Sequence, residues 1–138
     1  MNASEQQHGT SVDAIILAAG KGTRMQSDLP KVMHEVGGRP MLHWVIDACR
    51  AAGADRIVVV VGFKADLVRA SLADATDIEF VEQTEQLGTG HAVDQAREAF
   101  ADRGAHDVFV LCGDGPLIRT ETLSTLLETH RDNAADAT

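Results

Sequence analysis

A glycine-rich loop followed by two basic residues is the clearest place in this 138-residue chain where backbone and side chains could bind a ligand. Gly20 and Gly22 follow directly after a short apolar segment. Because glycine has no Cβ, the backbone can approach an anion closely, and successive N–H groups can point at phosphate oxygens. Arg24 would add a planar guanidinium fork and Lys31 a mobile ammonium. The pattern therefore predicts a site for the phosphates of a nucleotide.

Two widespread phosphate-binding motifs do not fit this loop. A Walker loop needs glycine, lysine and then serine or threonine, whereas the order here is Lys21, Gly22, Thr23. A dinucleotide fingerprint needs a third glycine where this chain has Met25. It also needs an acidic residue after the second strand, where this chain has Gly62. The remaining alternative is a glycine-rich turn that binds nothing.

A second group of polar residues follows the later strand-like segments. Asp114 stands between two glycines, where a carboxylate could hold Mg²⁺ together with substrate phosphates. The alternative is an aspartate that only completes a turn. Gln83, Gln86 and Thr89 surround a glycine-rich turn and carry donors and acceptors that could bind the edge of a base. Here the alternative is an ordinary polar loop.

Composition excludes several classes of function. The net charge of −9 and the pI of about 4.9 argue against nucleic acid as a partner, because phosphate backbones require a basic surface. No apolar run approaches the roughly 20 residues of a membrane span, and residues 1–11 do not have the pattern of a signal peptide. We therefore expect a cytoplasmic protein without membrane contacts. Two cysteines do not make a disulfide framework, and Cys49 is expected in the core.

Strand-like and helix-like segments alternate from Val12 onwards, whereas residues 1–11 are expected to form a disordered leader. The pattern predicts strands at 12–18, 56–61, 78–82 and 107–112, and helices at 41–52, 65–72, 92–101 and about 120–129. The first strand is interpreted as continuously apolar and buried on both faces. This alternation predicts an α/β fold, a parallel sheet with helices on both faces. Ligands of such sheets bind at the carboxyl ends of the strands, so the glycine loop, the Gly88–Gly90 turn and Asp114 should converge there.

Three motifs resemble those of sugar-phosphate nucleotidyltransferases. They are Leu17-Ala-Ala-Gly-Lys-Gly-Thr-Arg-Met25 with Leu29-Pro-Lys31, Gln86-Leu-Gly-Thr-Gly-His-Ala92, and Gly113-Asp114-x-Pro-Leu117. Together they are similar to the uridylyltransferase domains of the bacterial bifunctional N-acetylglucosamine-1-phosphate uridylyltransferase/acetyltransferases, over nearly everything from Asp13 onwards. The resemblance implies a Rossmann-like nucleotidyltransferase fold whose four strands, numbered along the chain, lie in the order 3-2-1-4. Residues 12–138 would be the N-terminal, nucleotide-binding part of that domain.

The same resemblance implies transfer of uridylyl from UTP to N-acetylglucosamine 1-phosphate, which gives pyrophosphate and UDP-N-acetylglucosamine, a cell-wall precursor. It implies Arg24 and Lys31 as the catalytic cations on the triphosphate, and Mg²⁺ as a cofactor held by Asp114. The positions implied to bind the nucleotide are Leu17, Ala18, Ala19, Gly20, Gly22, Gln83, Gln86, Gly88 and Thr89. Among them, the resemblance implies that Gln83, Gly88 and Thr89 recognise uracil.

Three features depart from the family pattern. Cys112 stands where the family often has tyrosine, and Gly115 where valine is usual. The sequence ends at Thr138, about where the next strand of the family's domain should begin, so the sheet is expected to be incomplete at its C-terminus. Two alternatives to an active uridylyltransferase stay open. One is a truncated, non-catalytic nucleotide-binding half-domain, or a module that forms homo-oligomers by pairing through its open sheet edge. The other is a transferase for a different sugar phosphate or nucleotide.

Overall fold

Four parallel strands form the central sheet. The structure is a computed structural model that describes residues 11–138, so residues 1–10 of the expected leader lie outside the described residues. The strands are β1 (Val12–Ala18), β2 (Ala54–Val61), β3 (Ile78–Glu82) and β4 (Asp107–Cys112). Their order is β3-β2-β1-β4, and all three pairings are parallel. This confirms the predicted α/β fold and the order 3-2-1-4.

Helices cover both faces of this sheet. They are α1 (Met41–Ala51), α2 (Ala65–Ser71), α3 (Thr89–Gln95) and α4 (Thr120–Asp132), with 3₁₀ turns at Thr23–Met25, Lys31–Met33 and Arg97–Phe100. Helix α1 buries Leu42, Val45, Ile46 and Cys49, which the helical period places on one face. The predicted core position of Cys49 is therefore confirmed. The helices α1, α2 and α4 share one apolar cluster with the sheet, and α3 belongs to the cluster on the opposite face. No helix in this part of the chain has the length and apolar character needed to cross a membrane.

The third predicted helix has different bounds in the structure. The helix predicted at 92–101 begins earlier, at Thr89, and ends at Gln95, where a 3₁₀ turn continues the chain. It begins there because Gly88 has φ +105, a conformation that redirects the chain directly before the helix. Residues 35–40 form a short antiparallel hairpin before α1. Its two central residues, Gly37 and Gly38, have φ +62 and +77, as a type I′ turn requires.

The prediction of a continuously apolar first strand is wrong at Asp13, whose side chain is completely buried. Asp13 Oδ1 accepts hydrogen bonds from the Arg56 backbone N–H (3.0 Å) and from Arg103 Nη2 (2.8 Å). His106 Nε2 lies 3.1 Å from the other carboxylate oxygen. A carboxylate can remain in a core only when it is paired and hydrogen-bonded in this way. The cluster ties the segment that precedes β4 to the amino ends of β1 and β2.

The outer edge of β4 has no neighbouring strand among residues 11–138. Asp107 N–H and Gly113 N–H both bond to carbonyl oxygens on the β1 side. Because backbone groups alternate along a strand, the N–H and C=O of Val108 and Val110 therefore point to the open edge. Val110 is 48% exposed, and a groove of about 480 Å³ lies between β4 and α4.

Association through this edge stays a prediction. Unpaired backbone groups on an apolar edge strand can pair with a second chain, so light scattering should give a mass above 14.7 kDa that rises with concentration. Replacing Val110 by proline removes an outward N–H at a position where an edge strand tolerates proline. We expect this variant to be monomeric and folded. A wild-type chain that stays monomeric at every accessible concentration would contradict the prediction.

Candidate functional site

The three sequence motifs meet around one cavity of about 280 Å³ at the carboxyl ends of the strands. The glycine loop follows β1, Gln83 follows β3, and Asp114 follows β4. The cavity is lined by Leu17, Ala19, Gly20, Gly22, Lys31, Val32, Gln83, Gln86, Gly88, Thr89, Ala92, Cys112 and Asp114. Most of the positions that the sequence singled out are therefore brought together.

Lys31 and Asp114 form an ion pair inside this cavity. Lys31 Nζ lies 2.6 Å from Asp114 Oδ2, with the two side chains 44% and 31% exposed. Gly22 has φ +64 and lies against the lysine, since a Cβ at this position would come within 2.6 Å of Lys31 Cβ. The glycine loop therefore positions the stem of Lys31. The sequence motifs predicted separate roles for the two charged residues and did not indicate that they touch.

Gly113 fixes the start of the Asp114 turn. Its N–H donates to Leu17 O (2.9 Å), and a Cβ here would lie 3.1 Å from both that oxygen and Val32 Cγ1. Within residues 11–138, no group of three or more histidine, cysteine or acidic side chains is arranged to hold a metal ion. A single carboxylate next to the predicted phosphate site nevertheless fits Mg²⁺, which takes one or two carboxylates and completes its coordination with phosphate oxygens and water.

Gln86 uses its side chain to hold the glycine loop. Its Nε2 donates to Ala19 O (3.1 Å) across the end of β1. Gly62 lies under this bond, since a Cβ there would come within 3.0 Å of both bonded atoms. The structure thus gives Gln86 a positioning contact beside the cavity, where the sequence suggested direct contact with a ligand.

Gln83 is the most buried polar side chain of the cavity, with 3% of its surface exposed. Its Nε2 donates to Gly88 O (3.3 Å) and lies 2.9 Å from His91 Nδ1. His91 belongs to a motif that the sequence highlighted, but no role was predicted for it. Its position, eight residues after Gln83 and in the first turn of a helix that begins at a cavity residue, is the signal that could have indicated the contact.

Arg24 is placed differently from Lys31. It lies in the exposed Thr23–Met25 turn and is not among the residues that line the cavity. Ala18 is buried beneath the site, with 1% of its surface exposed. Val32, Ala92 and Cys112 line the cavity although no binding role was predicted for them.

Comparison with known proteins relates the whole described fold to enzymes that use nucleoside triphosphates. The profile of the MobA-like NTP transferase domain matches residues 14–138. The chain is 53% identical over 127 residues to the bifunctional protein GlmU of Picosynechococcus, an alignment that covers 92% of this chain and 28% of that protein. The chain spans about a quarter of the length of the curated relatives it matches.

Solved structures give the same relationship for the fold. A nucleotidyl transferase from Methanothermobacter thermautotroptrophicus superposes with a TM-score of 0.72 at 24% identity, covering 87% of this chain and 58% of the other. The manganese complex of Rv0371C from Mycobacterium tuberculosis superposes with a TM-score of 0.64 at 26% identity, covering 89% and 61%.

Proposed function

The chain belongs to the MobA-like NTP transferase family, and from this premise we propose that it binds UTP and transfers the uridylyl group to N-acetylglucosamine 1-phosphate. The observation that carries the proposal is the convergence of a glycine loop, a lysine, a carboxylate and a buried glutamine on one cavity. The identity of 53% with a GlmU protein supports the choice of this reaction within the family.

Uracil selectivity rests on the orientation of the Gln83 amide. The amide nitrogen is held by Gly88 O and His91 Nδ1, so the amide oxygen is the atom left to accept a hydrogen bond from a ligand. Uracil carries an N3–H donor that matches this acceptor, whereas the corresponding nitrogen of cytosine is itself an acceptor. Gln83 therefore favours uracil over cytosine, which has almost the same shape.

The glycine loop and Lys31 would bind the phosphates of the nucleotide. The backbone around Gly20 and Gly22 approaches the cavity without a Cβ, and Lys31 brings a full positive charge to the same wall. Asp114 would hold Mg²⁺, and the manganese complex of a structural relative supports a divalent ion in this family. When bound, such an ion neutralises charge on the phosphates.

The proposed reaction is an in-line attack by a phosphate oxygen of the sugar 1-phosphate on the α-phosphorus of UTP. A bond forms between that oxygen and phosphorus, and the bond from the α-phosphorus to the bridging oxygen breaks as pyrophosphate leaves. No covalent intermediate on the protein is needed. Lys31 would supply fixed charge near the phosphates, which is how positioning and electrostatic preorganisation lower the barrier of such a step.

The transfer is tested by incubating the chain, in molar excess over UTP and with Mg²⁺, with N-acetylglucosamine 1-phosphate or glucose 1-phosphate. We expect UDP-N-acetylglucosamine and pyrophosphate in equal amounts and less product from glucose 1-phosphate. Enzyme excess ensures that slow transfer is also detected. Product from glucose 1-phosphate alone would change the proposed acceptor. Binding of UTP without any product would indicate that the chain is a nucleotide-binding module without transferase activity.

The reactivity of Cys112 should report on ligand binding in the nucleotide cavity. Cys112 is exposed and lines the cavity, whereas Cys49 is fully buried and its pKa is raised by burial to about 12. Because the thiolate is the reactive form, a thiol reagent should label one cysteine in the folded chain and two after denaturation. Saturating UTP with Mg²⁺ should slow this labelling. Cys112→Ser is the control and should abolish labelling of the folded chain, while an unchanged rate with UTP would contradict the location of the site.

A further inference from the structure

His91 makes the shortest contact to the amide that we propose to select the base. Its Nδ1 lies 2.9 Å from Gln83 Nε2, and its Nε2 lies 3.2 Å from the side-chain amide of Gln95. Gln83 Nε2 also donates to Gly88 O (3.3 Å). The three side chains therefore form a continuous row, from the cavity wall through the imidazole to Gln95 on α3.

These contacts determine which ring nitrogen of His91 carries the proton. Gly88 O can only accept, so the Gln83 atom beside it must be the amide nitrogen, which is a donor. The same nitrogen faces His91 Nδ1, so Nδ1 must offer its lone pair, and the neutral ring carries hydrogen on Nε2. Nε2–H then faces Gln95, which accepts it through its amide oxygen after a half-turn of that amide.

We propose that His91 is a positioning residue for base selection: it holds the Gln83 amide with its oxygen available to the cavity. The proposal rests on the proposed function, in which Gln83 binds uracil. Both amide hydrogens of Gln83 have an acceptor when His91 is present. Without His91 only the longer bond to Gly88 O remains, and the amide can rotate to present its nitrogen to the base.

This rotation would reverse the chemistry of the contact. An amide nitrogen in the cavity donates to N3 of cytosine and meets the N3–H of uracil as a second donor. The loss of His91 should therefore weaken UTP and strengthen CTP, and change the ratio of their affinities. A residue that only supported packing would weaken both nucleotides alike.

The test compares His91→Leu with His91→Asn. Leucine keeps much of the bulk but removes the acceptor, whereas an asparagine oxygen can take the place of Nδ1. Affinities for UTP and CTP with Mg²⁺ are measured by calorimetry for both variants and wild type. His130→Leu, a histidine on α4 outside the nucleotide cavity, is the matched control.

We expect the preference of wild type for UTP over CTP to fall about three- to tenfold in His91→Leu, the value of one neutral hydrogen bond. The preference should be retained in His91→Asn and in His130→Leu. A leucine variant that keeps the wild-type ratio would overturn the role of His91. Equal binding of UTP and CTP by wild type would instead refute the uracil selectivity from which the inference starts.

A second measurement does not depend on whether the leucine variant folds. Long-range ¹H–¹⁵N correlation spectra of the wild-type chain, in alkaline buffer, report the tautomer of each neutral histidine. We expect the Nε2–H form for His91. The Nδ1–H form would overturn the proposed hydrogen bond. The calorimetric comparison would also overturn it if His91→Asn lost as much of the preference for UTP over CTP as is expected for His91→Leu.

Discussion

Replacing Lys31 by alanine should lower the rate of uridylyl transfer by about 10²–10³-fold, the usual loss when one preorganised charge is removed from a reacting centre. Lys31 Nζ is the cation of the cavity wall, and no second lysine or arginine lines the cavity among residues 11–138. If the chain binds UTP without turnover, the affinity for UTP should fall instead. Rapid-quench measurement of product and calorimetry with UTP together cover both cases.

Lys21→Ala is the matched control for this substitution. Lys21 belongs to the same loop but does not line the cavity, and its Nζ lies over the Phe63 ring at 5.2 Å. Its loss should leave rate and affinity near the wild-type values. Arg24→Ala examines the second cation predicted from the sequence. Wild-type rate and affinity in both Lys31→Ala and Arg24→Ala would remove the assignment of these residues to the triphosphate.

Replacing Asp13 by alanine should lower the free energy of unfolding by about 3 kcal/mol, because removing one partner of a buried ion pair leaves the other charge uncompensated. We place the effect at the low end of the usual range of about 3–5 kcal/mol. The reason is that the Arg103 side chain is 26% exposed and can turn towards water. Urea unfolding followed by circular dichroism measures the change as a lower midpoint at constant slope.

Asp102→Ala is the control at the surface. Asp102 pairs with Arg56 at 2.8 Å, the same distance as Arg103 to Asp13, but its side chain is 68% exposed. Exposed pairs contribute little to stability, so the midpoint should stay at the wild-type value. Equal midpoints for Asp13→Ala and wild type would show that the buried cluster is not a source of stability.

The strand order and the meeting of the motifs could be predicted because local patterns carry that information. The β-branched run at Ile57–Val61 and the helical period after Met41 identify their elements without knowledge of the fold. Parallel topology then places the carboxyl ends of the strands at one edge. For this reason the glycine loop, Gln83 and Asp114 could be assigned to one site.

Contacts between distant residues could not be predicted in the same way. The partners of Asp13 lie 43 to 93 positions further along the chain, at Arg56, Arg103 and His106, and no local period connects them. The Lys31–Asp114 ion pair likewise joins two separate motifs. The sequence shows that these side chains are polar or charged, but only the packing of the strands shows which of them touch.

The most direct test of a uracil-nucleotide site is a calorimetric titration of the wild-type chain with UTP, ATP, GTP and dTTP in the presence of Mg²⁺. The proposed contacts of Gln83, Gly88 and Thr89 predict that UTP binds more tightly than ATP and GTP by at least about tenfold, the effect of one mismatched buried polar contact. Equal affinities for all four nucleotides would show that the cavity binds only phosphates, and would contradict the assignment of these three residues to the base.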